Sequence, residues 1–228
     1  MEIALERIAN WKKGTALDLS NLGLTHLPAL PSSITYLGCA DNQLTSLPTL
    51  PSSLTTLYCN HNQLINLPTL PSNLTELCCS NNQLTTLPTL PSSLRVLYCY
   101  NNQLTSLPTI PSNLIALNCS NNQLTTLPTL PSNLIALNCY NNQLTSLPTL
   151  PSTLKYLQCS NNPFFLETPK LDDETPYEYW NRLESVQSKK RTIKRTREFK
   201  EEIVMRFWHP NKVQKLLDLY GFDFDDYV

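Results

Sequence analysis

Eight leucines, Leu17, Leu37, Leu57, Leu77, Leu97, Leu117, Leu137 and Leu157, stand 20 residues apart without a break. The repeating unit reads LxxLxCxxNxLxxLPxLPSx, as in Leu54, Leu57, Cys59, Asn62, Leu64, Leu67, Pro68, Leu70 and Pro71. A period of this length, held without interruption, specifies a solenoid in which each unit is one structural piece stacked on its neighbours. Of the 18 prolines, 14 form seven pairs within the repeat, the two members of each three residues apart. Proline removes a backbone donor and fixes φ, so the return half of each unit is expected to be extended and polyproline-like rather than helical.

Alternation across Thr56-Leu-Tyr-Cys-Asn60 places Leu57 and Cys59 on one side of a short strand, with Thr56, Tyr58 and Asn60 on the other. A single coil cannot bury Leu54, Leu57, Leu64, Leu67 and Leu70 by itself. Stacked coils can, and their strands then pair as one parallel sheet with a spacing of about 4.8 Å. Each buried leucine contributes about 1.5–3 kcal/mol. Ordering the chain opposes this at about 1–2 kcal/mol per residue. Stability is therefore shared between neighbouring coils, and both ends need caps.

Two further columns share the period. Asn42, Asn62, Asn82, Asn102, Asn122, Asn142 and Asn162 fall where the chain leaves the strand and its backbone groups turn inward. An amide with two donors and an acceptor can serve its own loop and the next coil. Cys39, Cys59, Cys79, Cys99, Cys119, Cys139 and Cys159 point inward as small apolar fillers. No CxxC pair or histidine partner gives zinc spacing, and aligned neighbouring sulfurs cannot bridge without strain. A column of free thiols suits a reducing compartment. The eighth cysteine, Cys78, lies on the outward side, where a redox role stays open.

Composition narrows the function classes. The formal charge is −1 and only 15% of residues are charged, which speaks against a surface built for nucleic acid or anionic membrane. There is no apolar run long enough for a membrane span. Glu2, Glu6 and Arg7 interrupt the apolar pattern of the first residues, so no secretory signal is expected and an intracellular chain is. The sequence has only His26, His61 and His209, no glycine-rich phosphate loop and no spaced nucleophile and base. An enzyme is not expected, nor a cofactor or metal.

The outward strand positions vary while the framework does not. All six aromatic residues between Thr15 and Asn162 are tyrosines on this face. The candidate protein-binding residues are Tyr36, Tyr58, Glu76, Arg95, Tyr98, Tyr100, Asn118, Asn138, Tyr140 and Tyr156. The sharpest patch is Tyr58, Tyr98 and Tyr100, with Glu76 and Arg95 beside it. Tyrosine offers large contact area with few rotatable bonds, and Tyr, Asn and Ser with little charge suit protein recognition. Tyrosine also simply fits an exposed strand. The units beginning at Ile115 and Ile135 differ at 3 of 20 positions, a sign of tandem duplication and of a possible structural or surplus role.

The ends differ from the middle. Ile3, Ala4, Ile8 and Trp11 have helical spacing, with Gly14 as the expected stop, giving an N-terminal cap over 1–14. The repeat occupies 15–166, about eight coils, with Phe164, Phe165 and Leu166 closing the last. A charged linker covers 167–175. Thr175-Pro-Tyr-Glu178 reads as a capping box opening a charged helical module, 176–228. Between Lys189 and Lys200, seven of twelve residues are basic, which is either a solvated helix face or a nuclear-import or nucleic-acid patch.

The motif LxxLxCxxNxL followed by LPxLP resembles the leucine-rich repeat of the 20-residue bacterial-effector class, as in the YopM and IpaH proteins. Thr15 to Ile34 is similar to the first coil of that class, and the resemblance covers about residues 1–166. It implies an α/β repeat solenoid with a parallel concave sheet, an extended convex side, an N-terminal helical cap and C-terminal helices. Leu22 departs from the pattern, standing where the ladder asparagine would fall. The catalytic domain that follows the repeats in IpaH proteins has no counterpart after Phe165. The segment from Trp208-His-Pro210 to Gly221 resembles one found after repeats in giant DNA viruses of amoebae, which implies a viral protein acting in a host cell. The expected function is a non-catalytic scaffold that captures a host protein on the concave face. Host cytoplasm or nucleus is the expected location, with no membrane partner, no nucleic acid except through the basic run, and oligomeric state open.

Overall fold

The structure, a computed structural model, describes residues 1–12 and 16–163. The chain divides into two units, Met1–Tyr179 and Trp180–Val228, and every described residue belongs to the first. One helix, α1 (Glu2–Ala9), precedes eight strands: β1 (Leu17–Asp18), β2 (Tyr36–Gly38), β3 (Thr56–Tyr58), β4 (Glu76–Cys78), β5 (Val96–Tyr98), β6 (Ala116–Asn118), β7 (Ala136–Asn138) and β8 (Tyr156–Gln158). They form one sheet in sequence order, every pairing parallel. The register is the sequence period itself, with Leu57 beside Leu77 and Leu77 beside Leu97.

Three-residue strands would make a weak sheet alone, but the ladder runs on beyond them. Cys59 N donates to Cys78 O at 2.8 Å, His61 N to Ser80 O at 3.0 Å, and Gln63 N back to Leu44 O at 2.9 Å. The return segments contain no helix, as two prolines per unit require. Leu54, Leu57, Leu64, Leu67 and Leu70 are all buried, and all eight cysteines are buried and free of disulfides. This is the stacked, parallel-sheet solenoid expected from the period, with the N-terminal helix that the resemblance implied.

The cap differs in detail. Helix α1 stops at Ala9 and is closed by Asn10, five residues after the buried Ala4 begins its contact stripe and well short of the expected stop at Gly14, which lies outside the described residues. Ala4 is buried, Ile8 and Trp11 are half-buried, and Ile3 is 56% exposed. Ala4, Ile8 and Trp11 share one stripe at i, i+4 and i+7, so Ile3 falls to its side. Arg7 Nη1 ties the helix down by donating to Asp18 O at 2.8 Å. At the expected transition coil, where Leu22 stands in the asparagine's place, Leu22 N and Leu24 N both donate to Asn42 Oδ1, at 3.0 and 2.9 Å. The closing Phe164, Phe165 and Leu166, the linker, the capping box, the basic run, His209 and the C-terminal module lie outside the described residues. Among the described residues, no helix is long and apolar enough to cross a membrane.

Candidate functional site: the open face of the sheet

What the framework consumes decides what is left for binding. Asn102 Oδ1 accepts from Leu84 N at 3.0 Å, and its Nδ2 donates to Cys79 O and Cys99 O at 3.1 Å each. The same pattern recurs at Asn62, Asn82, Asn122, Asn142 and Asn162. Each side chain serves its own loop and the preceding coil. The sequence reading had the direction reversed, because spacing alone does not say on which side the neighbour lies.

Thiol chemistry is equally spent. Burial pushes the Cys39, Cys119 and Cys159 thiols up to about 12 and those of Cys59, Cys79, Cys99 and Cys139 well above the ordinary range. Cys78 is also fully buried, and burial drives its thiol up to about 12. A thiol held protonated and away from solvent does not supply the nucleophilic thiolate that a redox role at Cys78 needs.

The open face carries three rows. One runs Tyr36, Thr56, Glu76, Val96, Ala116, Ala136, Tyr156, and the next Gly38, Tyr58, Cys78, Tyr98, Asn118, Asn138, Gln158. The third, one alternation further, includes Ser80, Tyr100, Ser120 and Tyr140. The expected row of freely exposed tyrosines is not what forms. Tyr58 is 6% exposed, Tyr98 1% and Glu76 3%. Tyr36, Tyr100, Tyr140 and Tyr156 are half-buried, Asn118 and Asn138 are buried, and Arg95 is exposed at the residue before β5.

The local cause is cross-strand pairing. Gly38 sits beside Tyr58 in the same row, and a Cβ there would already meet Asp18 Oδ1 at 3.1 Å. The Tyr58 ring packs edge-on against Tyr36, centroids 5.4 Å apart at 81°, and its hydroxyl donates to Glu76 Oε1 at 2.6 Å. Burial, with the charges of Asp18 and Glu76, pushes Tyr36 up to about 12. Burial and then Glu76 raise Tyr58 far out of the ordinary range, and the same two causes raise Tyr98. Burial also raises Tyr100 and Tyr156. These phenols act as neutral hydrogen-bonding groups. The expected patch thus separates into a joined group, Tyr36, Tyr58 and Glu76 on β2–β4, and the residues of β5–β8.

One column escaped the sequence reading. Asp41, His61, Asn81, Asn101, Asn121, Asn141 and Asn161 all have positive φ, between 52° and 57°. They turn the chain off each strand, and their side chains form a second ladder: Asn101 Nδ2 to Asn81 Oδ1 at 2.7 Å, Asn141 Nδ2 to Asn121 Oδ1 at 2.9 Å, and Asn161 Nδ2 to Tyr140 Oη at 2.8 Å. The signal was present, since Asn, Asp or His stands at this one fixed position of each unit, and these are the residues enriched in this conformation.

A one-sided parallel-sheet solenoid with a consumed framework and a varied open face defines a repeat scaffold. The model of the family "Leucine Rich repeats (2 copies)" matches residues 72–112. Among solved structures, the chain is similar to YopM from Yersinia enterocolitica WA-314, at 43% identity and a TM-score of 0.64, over 65% of this chain and 33% of that one. It is also similar to a Shigella effector leucine-rich repeat domain, at 37% identity and a TM-score of 0.59, over 64% of this chain and 68% of that one. This chain thus spans about a third of the length of that YopM and about two thirds of the Shigella domain. No curated protein matches. The chain belongs to the leucine-rich repeat family.

Proposed function

We propose that the chain is a non-catalytic scaffold that captures a protein on the concave, open face of its sheet. One observation carries this reading: the framework repeats in every coil with its polar groups already bonded, while the open-face rows change from coil to coil. The chemistry available to a partner is then Tyr, Asn and Ser on short, fixed strands, a palette suited to protein contact. The likeness to effector repeat domains supports a partner in a host cell, and the protonated cysteine column suits a reducing compartment such as host cytoplasm. The viral origin suggested by the tail segment remains part of the proposal; the relatives named above are bacterial.

The test is capture from a cytosolic lysate by immobilised full chain, with Tyr100→Ala/Tyr140→Ala/Tyr156→Ala as the face variant. Loss of a captured protein in this variant, with Ile65→Ala on the exposed return side unchanged, is the expected result. Equal capture by both would overturn the assignment to the sheet face. A second reading, a structural or surplus repeat, is favoured by the near-identity of the units at Ile115 and Ile135. It predicts no specific capture by any variant.

A further inference from the structure

Strands β6 and β7 place Asn118 and Asn138 side by side in the middle row. Both are buried, at 4% and 6% exposure. Asn118 Oδ1 accepts from Ser120 N at 3.1 Å and Ser120 Oγ at 2.8 Å, and Asn138 Oδ1 accepts from Tyr140 N at 3.1 Å. A backbone N–H can only meet an oxygen, so these bonds fix which end of each amide is which. Both NH2 groups therefore turn away from their own strands. Neither donates to an acceptor among the described residues.

The surroundings have the same bias. Tyr140 Oη accepts from Asn161 Nδ2 at 2.8 Å, which leaves its own proton to donate. In the adjoining row, Ala116 and Ala136 keep the floor low between Val96 and Tyr156. From Leu77 to Pro163 the sequence carries Arg95 and Lys155 and not one Asp or Glu. The span is thus rich in donors, positive in sign, and bare of carboxylates.

Resting on the scaffold reading above, we infer that the open face of β5–β8 takes an extended acidic peptide segment of the partner, with a carboxylate seated on the Asn118 and Asn138 amides. Two amides about 4.8 Å apart can converge on the two oxygens of one carboxyl group. Three strand spacings, about 14 Å, accommodate roughly four extended residues laid across the strands. Amide donors that have no acceptor within the described residues and reach the surface of the face favour a group that accepts from them over one that does not.

The probe is a phage-displayed random dodecapeptide library panned on the full chain, with the enriched peptides then synthesised bearing fluorescein for anisotropy titration. Enriched peptides are expected to share an Asp or Glu whose change to Asn or Gln weakens binding at least tenfold. N118D/N138D keeps both acceptor bonds but exchanges the donors for charge, and is expected to weaken binding at least tenfold. The peptide-side substitution reads the same contact should that variant fold poorly. Enriched peptides without a carboxylate, or indifferent to N118D/N138D, would overturn the inference while leaving the scaffold reading to its lysate test. Failure to enrich any peptide overturns the inference as well, and lysate capture lost on mutating the face would then show that the scaffold reading survives.

Discussion

Tyr58 on β3 gives its hydroxyl proton to Glu76 on β4 at 2.6 Å, across adjacent strands and below the surface of the sheet. The bond joins a buried carboxylate of the open face to one of its largest side chains, and it explains why a residue suited to contact is buried instead. Removing the hydroxyl takes a charge-assisted bond from a buried carboxylate. Tyr58→Phe is expected to lower stability by about 1.5–3 kcal/mol, read as a lower urea midpoint with unchanged m-value. A midpoint equal to that of the parent would show that the bond contributes nothing.

The asparagine ladder predicts an effect of similar size at a smaller side chain. Asn102→Ala deprives Leu84 N of its acceptor and Cys79 O and Cys99 O of a donor, all in the interior between coils. The expected loss is about 2–3 kcal/mol, as for buried backbone groups left unsatisfied. Asn102→Asp keeps the acceptor and sets a charge against carbonyls, so it should be no better than alanine. Differential scanning calorimetry of the two variants checks the order.

Backbone geometry can be tested apart from side-chain bonding at Asp41, which is exposed and has φ 54°. Asp41→Gly is expected to leave stability within about 0.5 kcal/mol, since glycine enters the left-handed region without strain. Asp41→Val should cost about 1–2 kcal/mol or more, from the clash of a branched Cβ in that conformation. Equal midpoints for the two would remove the argument for this column.

These cases show what a repeat makes legible. Leu57 and Cys59 could be read from the sequence because each lies beside a copy of itself one period away, Leu77 and Cys79. Tyr58 could not. Its neighbours in the row are Gly38 and Cys78, and its partner is Glu76, three different residues whose sizes and charges decide whether the ring stands free. Asn118 and Asn138 were singled out for their polarity, but that their oxygens are spent and their NH2 groups are not depends on the turn to Ser120 and Tyr140. The end of α1 falls earlier than the sequence predicts for a related reason: the cap is tied to β1 through Arg7 and Asp18, with no repeat to set its length.

The buried thiols make stability fall in alkali, and the sign follows from where protons are held. In the unfolded chain a thiol titrates near 9, whereas Cys39, Cys78, Cys119 and Cys159 in the fold are pushed up to about 12 by burial. Between those values the folded state holds protons that the unfolded state has released, so stability declines as pH rises through that window. Well below pH 9 both states are protonated and the contribution is fully present. Each such thiol steepens the decline by up to about 1.4 kcal/mol per pH unit. Urea midpoints are therefore expected to be flat from pH 6 to 7.5 and to drop with increasing steepness above about pH 8. Replacing Cys99 and Cys119 with alanine should lower the plateau through lost packing but make the alkaline limb shallower. At pH 8 a chromogenic disulfide reagent should find all eight cysteines in urea and almost none in buffer. Rapid labelling of the folded chain, or a limb of unchanged slope in the double variant, would contradict the buried column.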